Sequence, residues 1–115
     1  DASLHYALGL SLARQQRMPE ALAQLQQAVK LGPGDPRYAY VYGVALHSAG
    51  KQSEGIAVLA AAHAKFTGDA EILQALATME RDRGSMAAAR DYARQLVQLT
   101  PDDPQAHALL RELER

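Results

Sequence analysis

Apolar side chains recur along this chain at helical rather than strand spacing. The clearest case is the last one, where Ala106, Leu109, Leu110 and Leu113 fall at i, i+3, i+4 and i+7 and so share one face of a helix. The opposite face carries Gln105, Arg111, Glu112 and Arg115. A helix divided in this way packs on one side only. Upstream, Asp1, Asp35, Asp69 and Asp103 each open a helical pattern, and proline follows Asp35 and Asp103. An aspartate at that position accepts hydrogen bonds from the free N–H groups of the first turn. Proline at the first helical position gives up no bond, and its φ is already set. The pattern predicts a helix from about Pro36 to Ser48 that stops near Gly50, then another from about Ser53 to Lys65. Gly84 ends the corresponding helix further on. Gln16 and Arg17 form the first turn, and Pro19 marks the helix after it.

The four aspartates stand 34 residues apart, and the same shift superposes Ala2, Pro36, Ala70 and Pro104. It also places Leu25 on Leu59, Ala28 on Ala62 and Pro33 on Pro101, and Gly9 on Gly43 and Ala77. A fixed period of this length marks a stack of helix pairs, each burying its apolar face on the next. The expected organisation is a single domain of three repeats, 2–35, 36–69 and 70–103, closed by a helix over 104–115. The polar back of that last helix suits a cap over the open apolar face of a stack. The first helix has no such cap before it. The chain is therefore expected to be a piece of a larger protein, with the outer side of its first repeat bare.

The first period reads His5-x2-Leu8-Gly9-x2-Leu12, then Ala21-x3-Leu25, then Pro33. The second reads Ala39-x2-Tyr42-Gly43-x2-Leu46, then Gly55-x3-Leu59, with Thr67 in place of proline. The third reads Leu73-x2-Leu76-Ala77-x2-Glu80, then Ala89-x3-Ala93, then Pro101. These spacings resemble the tetratricopeptide repeat family, whose pattern is Trp-x2-Leu-Gly-x2-Tyr, Ala-x3-Phe and Pro. The resemblance implies an all-α fold, a right-handed superhelical solenoid of about seven helices in antiparallel pairs. Glu80 stands where the family puts an apolar residue and Ala93 where it puts an aromatic one. The third repeat is expected to pack less well, with Met79 and Tyr92 filling part of the gap. The period also separates the chain from the pentatricopeptide RNA readers, which repeat at about 35 residues.

The resemblance further implies that the first helix of each repeat lines a concave groove that takes an extended peptide or a helix. Matching phase gives Tyr6, Leu10, Ala13 and Arg14 from the first repeat. The second supplies Arg37, Tyr40, Val44, His47 and Ser48, and the third Glu71, Gln74, Thr78, Arg81 and Asp82. Leu8, Tyr42 and Leu46 are taken as core, which leaves Tyr6 and Tyr40 for a partner. The first two stripes are apolar and aromatic, the composition of recognition hot spots. Members that clamp a C-terminal carboxylate use Lys and Asn in the groove, and these stripes hold no such set. The expected partner is a protein or peptide. Self-association through exposed apolar faces, giving a homo-oligomer, is the rival reading.

Composition and charge narrow the chemistry further. Alanine, leucine, glutamine and arginine favour helix, in a style common in bacterial chains. With 12 Lys and Arg against 13 Asp and Glu, the net charge is -1. There is no basic excess for a nucleic acid. Absent cysteines remove thiolate metal sites and leave cytoplasm and periplasm equally open. No apolar run approaches the ~20 residues of a membrane helix, so direct membrane insertion is not expected. Among His5, His47, His63 and His107 no two stand three or four apart, as a helical ligand pair would require. His5 and His107 read as packing residues and His47 as groove-facing. Asp103 is accounted for as a cap, and Gly32-Pro33-Gly34-Asp35 reads as a turn between repeats. Neither an enzyme nor a cofactor is expected.

Overall fold

The computed structural model describes all 115 residues. Seven α-helices and no strand make up the chain. They are α1 (Ala2–Arg14), α2 (Met18–Leu31), α3 (Pro36–Ser48), α4 (Gln52–Lys65), α5 (Ala70–Asp82), α6 (Met86–Leu99) and α7 (Pro104–Leu113). The chain divides into two compact units, Asp1–Val58 and Leu59–Arg115, with the boundary inside α4.

Local chemistry sets where the helices begin. Asp1 accepts from the Ser3 amide at 2.8 Å, and Asp35 from Arg37 at 3.0 Å. Asp69 accepts from Ile72 at 3.0 Å, and Asp103 from Gln105 at 2.9 Å. Four caps in one phase therefore start α1, α3, α5 and α7.

The turns inside the helix pairs repeat just as closely. Gln16, Gly50 and Gly84 stand 34 residues apart and have φ of 61°, 83° and 87°. Each is the left-handed residue of a Schellman closure, in which the next amide reaches back five residues. Arg17 donates to the Leu12 carbonyl at 2.9 Å, Lys51 to Leu46 at 2.8 Å and Ser85 to Glu80 at 2.9 Å. Two of the three left-handed sites are glycine, which adopts that conformation without a Cβ clash. Gln16 carries the strain that a side chain brings there, about 1–2 kcal/mol. Replacing Gln16 with Gly is expected to raise stability by about 1 kcal/mol, read as a higher urea midpoint with an unchanged slope. A lower midpoint would mean that Gln16 has a compensating contact.

Each unit has its own core. In the first, Leu12, Ala21, Leu25 and Ala28 of α1 and α2 are buried, as are Tyr38, Ala39, Ala45 and Leu46 of α3 and Ile56 of α4. In the second, Leu59, Ile72, Leu73 and Leu76 are essentially inaccessible to water. Burying a leucine of this kind contributes roughly 1.5–3 kcal/mol. The departures at Glu80 and Ala93 are accommodated locally. Glu80 is 5% exposed, and its carboxylate accepts from Arg83 Nε at 2.6 Å. Tyr92 packs on the cluster of Ala77, Ala89, Ala93 and Leu113.

One core assignment is corrected. Leu46 is buried and Tyr42 half-buried, but Leu8 is 47% exposed. The apolar pattern puts Leu8 on a face that would pack against a preceding helix pair. No described residue covers that face.

Candidate partner-binding surface

In the first unit the groove-phase residues fall on α1 and α3. Tyr6, Leu10, Ala13, Tyr40, Val44 and His47 are half-buried, while Arg14, Arg37 and Ser48 are exposed. The Tyr6 ring does not project freely. It lies against Tyr38 with centroids 4.9 Å apart and planes tilted by 47°, a geometry worth about 0.5–1.5 kcal/mol beyond the area it buries. Tyr38 itself is 7% exposed. It fits because Gly32 at the end of α2 has no side chain: a Cβ there would sit 2.7 Å from the Tyr38 ring. Tyr6 thus serves packing with one face and is open to solvent in part with the rest.

Arg37 is held by its own helix cap. Its Nη2 donates to Asp35 Oδ2 at 2.8 Å and its Nε to Oδ1 at 3.2 Å, and its guanidinium sits 6.0 Å from the Tyr38 ring centroid. The side-chain bond from Arg37 lowers the Asp35 carboxyl below its usual range, and the same bond raises Arg37. Tyr42 moves upward, first from burial and then from the Glu54 carboxylate.

In the second unit the corresponding residues lie on α5. Glu71, Gln74 and Asp82 are exposed, Thr78 and Arg81 half-buried. The Thr78 hydroxyl donates to its own helix, to the carbonyls of Ala75 at 3.0 Å and Gln74 at 3.1 Å. Arg81 reaches Asp82 at 3.3 Å and Glu112 at 3.4 Å. Arg37 and Arg81 therefore both have acidic neighbours in their own units.

Two features were not singled out from the sequence. Tyr38 is one, although its 34-residue coincidence with Leu4 and Ile72 was an available signal. The other is a shallow notch of about 600 Å³ in the first unit, lined by Met18, Pro19 and Leu22 from the start of α2 and by Ser48, Ala49 and Lys51 at the end of α3 and just beyond it. His5, His63 and His107 each make a hydrogen bond within the chain. His5 Nδ1 pairs with Gln24 Oε1 at 2.6 Å and His63 Nε2 with Gln95 Oε1 at 3.0 Å, while His107 Nε2 donates to the Pro101 carbonyl at 2.7 Å. No three His, Asp or Glu side chains gather where they could hold a metal ion. No helix is long and apolar enough to cross a membrane.

Comparison with known proteins bears on the family and the fold. A profile of the tetratricopeptide repeat matches residues 6–70 and 54–104. No protein curated for function matches in sequence. Among solved structures, PcrH from Pseudomonas aeruginosa is similar with a TM-score of 0.87 at 17% identity, over 99% of this chain and 92% of its own. The type III secretion chaperone SycD of Yersinia enterocolitica, in complex with a peptide of the translocator YopD, gives 0.85 at 14% identity, over 97% and 91%. The first repeat domain of Spaghetti (RPAP3), bound to the HSP90 peptide SRMEEVD, gives 0.86 at 15% identity, over 98% and 90%. At these identities the likeness is one of fold.

Proposed function

This chain belongs to the tetratricopeptide repeat family, and we propose that it is a protein-interaction scaffold holding a peptide or helical segment of a partner against the first helices of its repeats. The observation that carries the reading is the row of half-buried apolar and aromatic side chains on α1 and α3: Tyr6, Leu10, Tyr40 and Val44. Side chains already part-desolvated and held by packing lose little freedom on binding, so most of their contact energy is kept. Two similar folds hold peptides, which supports the same use here. The role is binding without catalysis, and it calls for no cofactor.

The arginines are assigned a smaller part than the tyrosines. Arg81 has Asp82 and Glu112 close by, and an acidic partner group would have to compete with them. Exposed pairs of this kind contribute about 0–1 kcal/mol, against about 2 kcal/mol or more for an aromatic ring at the centre of a contact. The test uses a peptide selected from a random library by this chain and measured by calorimetry. Tyr40→Ala should weaken binding by about 30-fold, the equivalent of ~2 kcal/mol. Arg37→Ala and Arg81→Ala should change it by only a few-fold, with helical signal and melting unaltered. If Tyr40→Ala binds normally, or if it unfolds its repeat, the surface has been assigned to the wrong face.

A further inference from the structure

The notch between the start of α2 and the end of α3 lies within the first unit, with α1 leading into it at Arg14 and α4 leaving it at Gln52. Met18 and Leu22 stand one helical turn apart and so share a face of α2. Both are half-buried, as is Ala49 opposite them. With Pro19 they make the lining mostly apolar, and the volume of about 600 Å³ has room for more than one large side chain. The corresponding hollow in the second unit, lined by Met86, Arg90 and Leu113 among others, measures only about 150 Å³. There Arg90 stands at the phase of Leu22, two periods on, and donates to the Leu113 carbonyl at 3.2 Å. In the first unit the same place is apolar and open.

Continuity and charge together specify what enters. Ser48 lines the notch and also ends the groove stripe of α3, after Arg37, Tyr40, Val44 and His47. A segment lying along that stripe towards the C-terminal end of α3 therefore runs onto the notch. Lys51 is the one charged residue in the lining. It is exposed, and its ammonium makes no ion pair within the chain. Arg17, next to Met18, is already paired with Glu20, so Glu20 is engaged elsewhere. An apolar hollow with a single unpaired cation at its lip fits an aliphatic side chain next to an acidic one. We infer that the notch is a second docking site for the partner, taking an aliphatic residue of the segment as it leaves the groove and pairing an adjacent Asp or Glu with Lys51. This inference rests on the groove reading, because the groove is what leads the segment there.

The two parts of the site differ in what they supply. Burial of the aliphatic side chain against Met18 and Leu22 carries affinity, while an exposed pair with Lys51 adds little energy and selects sequence instead. The test selects peptides from a random library with the 115-residue chain and repeats the selection with variants. The parent chain should enrich an aliphatic residue beside an acidic one. Leu22→Arg, which places at this phase the residue the second unit has there, should weaken the best peptide by about tenfold or more. Lys51→Glu should weaken it by up to about fivefold, and selection with that variant should replace the acidic residue with Lys or Arg. Because Lys51 is exposed, Lys51→Glu decides the matter even if Leu22→Arg fails to fold, which its melting curve reports. Peptides that lose affinity with Tyr40→Ala but are indifferent to the notch substitutions overturn this inference and leave the groove reading standing. So does an acidic position that does not follow the charge at residue 51. Peptides indifferent to Tyr40→Ala overturn both readings, as does a chain that selects none.

Discussion

Removing residues 104–115 should lower the melting midpoint by roughly 10–20 °C and expose the interior of the second unit. The reason lies in what α7 covers. Ala106 and Leu109 pack on Leu73 and Leu96, and Leu113 packs on Ala77, Ala89 and Ala93. Leu113 and Ala106 are buried, and Leu109 and Leu110 half-buried. One leucine fully buried and two in part, together with the partners they shield, represent about 3–6 kcal/mol of apolar burial. That is a large share of a total stability of about 5–15 kcal/mol. The polar contacts of the segment do not change the sum much. Arg81–Glu112 and Arg94–Glu114 are surface pairs at 3.4 and 3.3 Å, and such pairs contribute about 0–1 kcal/mol each. A second variant separates packing from chain length: Leu113→Ala, in the complete chain, should lose about 2–4 kcal/mol. Circular dichroism melts decide both. An unchanged midpoint after truncation would make α7 a tail that docks without supporting anything.

What the sequence made legible is what local chemistry decides. An aspartate before a helical pattern caps it wherever the rest of the chain goes, so the starts of α3, α5 and α7 can be read to the residue. Glycines 50 and 84 announce their turns because the left-handed conformation favours a residue without a side chain. Gln16 holds the same conformation with no such signal. Only its 34-residue phase with the two glycines discloses it. Burial was less readable, because it belongs to the neighbour as much as to the residue. Leu8 and Leu76 have the same place in the pattern, and one is exposed while the other is sealed. Tyr38 was passed over because the family pattern gives its position no name, although Tyr6 and Gly32 together make a seat for it. The ties of Arg81 to Asp82 and Glu112 depend on side-chain reach across helices, which spacing along one helix does not report. Fold and register were therefore legible to a greater depth than the candidate surface.

Replacing Gly55 by Val should be strongly damaging to the first unit, and Gly55→Ala should already be harmful, against what helix propensity predicts. On propensity alone, alanine inside α4 gains up to about 1 kcal/mol over glycine. The surroundings reverse the sign. A Cβ at position 55 would stand 2.7 Å from the Gly43 carbonyl oxygen and 3.2 Å from the His47 amide nitrogen. Both are backbone atoms of α3, so no side-chain rotation can relieve the overlap. Gly43 and Gly55 are buried, and α4 would have to move away from α3 along a packed seam. Their counterparts in the other unit, Ala77 and Ala89, are fully buried with their methyl groups in place, so the same phase accepts alanine there. Overpacking of this sort costs about 1–3 kcal/mol. For Gly55→Ala the net expected loss is about 1–2 kcal/mol, and for Gly55→Val, with two more carbons and a branched β-carbon, about 3 kcal/mol or more. Gly34→Ala is the control. Nothing lies within 4 Å of a Cβ at that position, and removing glycine's freedom from the unfolded chain should leave stability equal or up to ~1 kcal/mol higher. Urea unfolding of the three variants tests the ordering. If Gly55→Ala proves as stable as the parent chain, α3 and α4 slide past each other at little cost, and the contact at Gly43 does not set their separation.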